Sequence, residues 1–129
     1  MVARLGWVAV AALFVAASAC TPEHEGGLRE VDDEEHDLIE QRCDLDGAQA
    51  SLSGSLVNRS GSARPWAVSV AFRNGEQGLS SATDFSDGAV PDGAEWRWRV
   101  EVTVDPERVR PQALGCDVVR VDVGDPVDR

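Results

Sequence analysis

The sequence predicts an all-β fold, a small antiparallel sandwich spanning residues 43–129. Two observations predict it. Apolar residues recur at every second position in several separate runs, and clusters of Gly, Asn, Asp and Pro stand between those runs at hairpin or crossover spacing, with no long helical pattern among them. Five or more short strands in 87 residues argue for two packed sheets, with immunoglobulin-like character.

The strands are read in order. Ala48, Ala50, Leu52 and Leu56 alternate with Gln49, Ser51, Ser53 and Ser55, and the loop Asn58-Arg59-Ser60-Gly61-Ser62 follows before Pro65. In the second strand Trp66, Val68, Val70 and Phe72 point one way and Ala67, Ser69 and Ala71 the other, and Asn74-Gly75 closes it with residues that tolerate positive φ. Leu79–Phe85 reads as a weaker, Ser-rich strand. The turn Val90-Pro91-Asp92-Gly93 leads into the clearest alternation, Trp96, Trp98, Val100, Val102 and Val104 against Arg97, Arg99, Glu101 and Thr103. A helical turn is expected at Asp105-Pro106-Glu107-Arg108, and a last strand over Cys116–Val123.

Upstream of this domain the chain divides in two. Residues 1–19 carry one positive charge at Arg4, an apolar stretch from Leu5 to Ala17, and small residues at Ala17 and Ala19. This is the pattern of an export signal, and the apolar run falls short of the ~20 residues a spanning helix needs. Residues 17–20, Ala-Ser-Ala-Cys, resemble the end of bacterial lipoprotein signals, in which the Cys receives the lipid and becomes the new N-terminus. The resemblance implies lipidation of Cys20 and placement on the outer face of the cytoplasmic membrane. Ordinary cleavage after Ala19, which releases a secreted protein, is the alternative. Residues 20–42 are expected to form an acidic tether. Thr21–Arg42 holds nine carboxylates, both histidines and only four large aliphatic residues, so both disorder and a helix over Leu28–Gln41 stay open. As a coil its 22 residues would span about 25 Å.

Three cysteines in an exported chain leave an odd thiol. Lipid on Cys20 leaves Cys43 and Cys116, near the two ends of the domain, as a natural disulfide pair, and so small a domain benefits from a cross-link.

A family resemblance adds to this. Gly54-Ser55-Leu56-Val57-Asn58-Arg59-Ser60, then Val68-x-Val70-x-Phe72, Gly75, and Pro91-Asp92-Gly93 shortly before Trp96 resemble the FxLYD type of bacterial surface domain. That resemblance covers residues 48–104 most clearly. It implies an immunoglobulin-like sandwich of the kind carried on lipoproteins, and no defined reaction.

The chemistry is read mainly by elimination. All 12 basic residues are Arg, and the chain has neither Lys nor Tyr. Without residues 1–19 the chain carries a formal charge of −12, which disfavours nucleic acid as a partner. His24 and His36 both fall in the tether, so no base stands beside a nucleophile in the domain, and neither an enzyme nor a cofactor is expected. Asp44-Leu45-Asp46-Gly47 begins like a calcium loop, but Ala48 and the missing Glu at the twelfth position favour a turn, and no metal is expected. Asn58-Arg59-Ser60 is read as turn chemistry, although it matches a glycosylation sequon. Trp96 and Trp98 are expected in the core. Trp66, Arg97 and Arg99 are the candidate binding surface, with Arg64 or Arg73 as further members of an anion-accepting patch. The functional expectation is a non-catalytic module that binds an envelope protein or polymer, or alternatively a structural spacer.

Overall fold

The computed structural model describes residues 28–127, and the signal segment, Cys20 and His24 lie outside them. Seven strands form two antiparallel sheets: β1 (Arg29–Glu30), β2 (His36–Asp46), β3 (Gln49–Asn58), β4 (Trp66–Asn74), β5 (Gln77–Phe85), β6 (Glu95–Thr103) and β7 (Leu114–Val123). One sheet has the order β1-β7-β4-β5 and the other β2-β3-β6. The chain passes between the sheets four times, at β1→β2, β3→β4, β5→β6 and β6→β7, which gives the expected sandwich. Two hairpins close by tight turns that begin with glycine, Gly47 at φ 63° and Gly75 at φ 62°, a left-handed conformation that costs a residue with a Cβ.

The alternating runs fold as their periodicity dictates. Trp66, Val68, Val70 and Phe72 of β4 are buried against Leu52 and Leu56 of β3, Trp98 and Val100 of β6, and Val121 and Val123 of β7. β4 is hydrogen-bonded on both sides, and its outer-face Ala67 is buried as well. The helical turn after β6 is present, with the amides of Arg108 and Val109 donating to the Asp105 carbonyl and Val109 entering the core. In β7 the alternation breaks where the register slips by one residue between Arg120 and Val118. This leaves Val119 as the extra residue of a bulge, 57% exposed.

The tether requires a correction. Residues 29–42 are neither a helix nor a free linker, because β1 pairs with β7 and residues 36–46 pair along nearly all of β3. Between them, Asp33–Glu35 form a single 3-10 turn capped by the Asp32 carboxylate, and this turn carries the chain from one sheet to the other. The physical reason is that a strand needs only one partner. β2 lies at a sheet edge, so hydrogen bonds to β3 hold it while most of its side chains remain in water.

A bulge in β2 sets which side chains face which way. Ile39 pairs with Ser55 and Arg42 with Ser53, so Glu40 and Gln41 together oppose Gly54, and Glu40 adopts φ 58°. One extra residue reverses the facing of everything beyond it. Leu38 points into the core before the bulge and Leu45 does so after it, opposite Ala50, while Cys43, opposite Leu52, turns toward the other sheet at the exposed edge. The inward turn of Cys43 brings it to Cys116 of β7, with Cα atoms 5.8 Å apart, and the disulfide joins the two sheets at the edge where β2 lies over β7.

Candidate functional site

The expected surface residues separate in the fold. Trp66 is 1% exposed and belongs to the core, so it leaves the candidate surface. Its amide donates to Ser86 Oγ, its ring lies 5.6 Å from that of His36, and the two aromatic groups fill the core beside the turn between β1 and β2. Trp98 is buried as expected, whereas Trp96 on the edge strand β6 is only partly covered. Arg64 is used structurally, its guanidinium donating to Ser60 Oγ and the Gly124 carbonyl, and Arg73 of β4 pairs with Asp117 of the neighbouring β7, in the sheet that does not carry Arg97 and Arg99.

Arg97 and Arg99 do stand on the surface together, and the structure adds a third arginine to them. On the outer face of β2-β3-β6 the register places Arg42, Ser53 and Arg99 in one cross-strand row and Ile39, Ser55 and Arg97 in the next. Rows of opposite character flank them, Asp44-Ser51-Glu101 on one side and Asp37-Val57-Glu95 on the other. The centre of this face is therefore a cationic island on an acidic molecule. Between the long side chains of the outer strands, the serines of β3 leave a shallow depression of about 310 Å³ over Gly54, bordered by Glu40, Arg97 and Arg99. Gly54 is needed here for close approach: a Cβ would fall 2.8 Å from the Trp98 ring, so the indole packs flat beneath the sheet only because that position is bare.

The electrostatics of the island are uneven. Arg99 pairs with Glu101, and its backbone amide donates to Asp84 of β5. Among the described residues, Arg42 and Arg97 are exposed and enter no ion pair. Two unpaired guanidinium groups with a third nearby present planar donor forks suited to carboxylate or phosphate oxygens. Arg42 was hidden from sequence reading because it sits in the acidic segment. The one available signal was its place beside Cys43, since an inward cysteine obliges its strand neighbour to face out.

A second concave region lies between β7 and β2, a cleft of about 400 Å³ lined by Glu30, Asp33, His36, Leu38, Asp117 and Arg120 among others. His36 is 4% exposed, and burial pushes its imidazole below the ordinary value of 6.5, with Asp33, Asp37 and Asp32 opposing that shift. Its Nδ1 is buried without a hydrogen-bond partner. No Ser, Thr or free thiol lines this cleft, where Cys116 is held in the disulfide, and among the described residues no group of three or more His, Cys, Asp or Glu is placed to hold a metal ion. Asp44–Gly47 is the end of β2 and the start of its hairpin. Asn58 is fully buried, its Nδ2 donating to the carbonyls of Ser62 and Val90 and its Oδ1 accepting from the Ser60 amide.

Fold and face together define a disulfide-bridged β-sandwich with three arginines gathered at the centre of one sheet surface. No protein-family model, no curated protein and no solved structure matches the chain. Among the described residues no helix is long and apolar enough to cross a membrane.

Proposed function

We propose that this chain is a lipid-anchored interaction module of the bacterial envelope, held through Cys20 at the outer face of the cytoplasmic membrane and acting without catalysis. The observation that carries the reading is the Cys43–Cys116 disulfide. A bridge between two sheets belongs to an oxidising compartment, and it uses two of the three cysteines, leaving Cys20 at the end of the signal segment for the lipid. The resemblance to lipoprotein signals and to FxLYD-type domains supports the same assignment.

The folded domain begins close to the anchor. With β1 starting at Arg29, residues 21–28 separate Cys20 from the first strand, and a chain of that length reaches at most about 28 Å. The standoff is thus shorter than a tether to residue 42 allows. Burial of Trp66 and Trp98 favours the spacer alternative over a patch of loop aromatics, and it leaves the arginine face as the surface through which a module of this kind would bind.

Intact-mass analysis of protein isolated from bacterial membranes tests the assignment. The expected mass begins at residue 20, carries acyl chains, and loses both lipid and membrane association in Cys20→Ala. An unmodified Cys20 in the soluble fraction would overturn the anchor.

A further inference from the structure

We infer that the outer face of β2-β3-β6 is the binding surface of this module and that its ligand is an acidic polysaccharide segment lying along β3. The inference rests on the module reading above and names the partner's chemistry. Three features carry it: the charge of the face, its spacing and its lack of apolar anchors.

The charge is local and placed by the backbone. On a chain with formal net charge −11, the two central rows gather Arg42, Arg97 and Arg99 around Ser53 and Ser55. The nearest carboxylates are Glu40 at the rim, Glu101 on Arg99, Asp84 at the Arg99 amide, and those of the flanking rows. Charges beyond about 8 Å are screened at physiological ionic strength, so an approaching anion meets the local balance of these rows rather than the net charge of the chain. Arg42 is there because Glu40 holds the left-handed conformation of the β2 bulge, and a bulge that re-aims a side chain is a recurrent device beside functional surfaces.

Spacing points to a chain of anionic groups rather than one ion. Alternate residues of a strand are about 7 Å apart and the outer strands of a three-stranded sheet about 10 Å apart, so the bases of Arg97 and Arg99, and of Arg42 and Arg99, are separated by those distances. Successive acidic groups along a polymer can meet them in turn. The floor favours a saccharide over a peptide. β3 is hydrogen-bonded on both sides, which leaves no backbone for strand addition, and apart from Ile39 at the margin, 37% exposed, the two rows offer guanidinium groups and the half-buried Ser53, with Ser55 buried beneath them and no apolar pocket for a side-chain anchor.

The test is a titration of the full-length, disulfide-bonded chain with oligogalacturonate, beside poly-L-glutamate, inorganic phosphate and a neutral dextran, read by amide chemical shifts and by calorimetry. Saturable binding to oligogalacturonate is expected, weakening with added salt, with shifts centred on Ser53–Ser55. Arg42→Gln/Arg97→Gln should weaken it about tenfold and leave thermal unfolding unchanged, because both side chains are exposed and unpaired. Absent binding, binding unaltered in the double variant, shifts centred elsewhere, or equal binding of poly-L-glutamate or phosphate would overturn the inference. An acylated Cys20 in a chain that ignores oligogalacturonate removes this ligand and leaves the anchor. Binding by a chain with unmodified Cys20 removes the anchor and leaves the ligand.

Discussion

Breaking the Cys43–Cys116 bridge is expected to cost this domain a large part of its stability. The cysteines are 73 residues apart in sequence, and for a closed loop of that length the chain-entropy relation gives about 4 kcal/mol of stabilisation through the unfolded state. The folded state also loses the covalent clasp between β2 and β7. There β2 is hydrogen-bonded to β3 alone, and contact with the other sheet falls to side chains such as Leu38 and Leu45. A small domain has a net stability of about 5–10 kcal/mol, so the bridge contributes on the order of half. Cys43 is exposed, so a reductant reaches it without prior unfolding. Urea denaturation followed by Trp emission, with and without reductant and in Cys43→Ser/Cys116→Ser, reads the effect directly. With a urea slope of about 1.3 kcal/mol/M, the midpoint should fall by about 3 M. A fall of less than about 0.7 M would refute the loop-closure argument, because the bridge would then restrain a chain already compact when unfolded.

Three further outcomes are expected. The pKa of His36 is lowered by burial, so its contribution to stability is complete above the unfolded value of 6.5 and is lost as pH falls below it. Unfolding midpoints measured between about pH 7.5 and about pH 5 should show a decline that His36→Phe removes, and an equal decline in that variant would refute the role of His36. Asn58→Ala should cost about 2–3 kcal/mol in chemical denaturation, since it removes three hydrogen bonds at a fully buried position and takes the acceptor from the Ser60 amide, and a loss below about 0.5 kcal/mol would contradict the role given to that side chain. Gly54→Ala should destabilise by about 1–3 kcal/mol and shift Trp emission, because the new methyl group meets the Trp98 ring at 2.8 Å; a neutral result would mean that the indole is free to move.

The strands legible in the sequence were those with one dry face and one wet face. β4 and β6 follow their alternation closely, down to the outward Arg97, Arg99 and Glu101. β2 was not legible, for two physical reasons. It is an edge strand with few inward side chains, so its carboxylates read as a solvated linker, and its bulge interrupts the period that identifies a strand. The bulge in β7 interrupts the period there as well, turning Val119 out to solvent beside the inward Val118. Trp66 could be placed on a strand but not at a depth, because its burial depends on His36, 30 positions earlier, and on the loop at Ser86.

Composition and periodicity by themselves determined the all-β class and most strand positions, and the count of three cysteines, read with the resemblance of residues 17–20 to lipoprotein signals, pointed to the pairing of Cys43 with Cys116. These are local or countable properties: side chains alternate within one strand, and an odd cysteine stands out in a count. Tertiary structure alone decided that the acidic segment from Arg29 onward belongs to the sandwich, that Trp66 lies inside it, and that Arg42 joins Arg97 and Arg99 on one face. Each of those depends on cross-strand register. Register is settled by hydrogen bonds between residues far apart in the chain, and a single extra residue at Glu40 was enough to turn Arg42 outward and Cys43 inward.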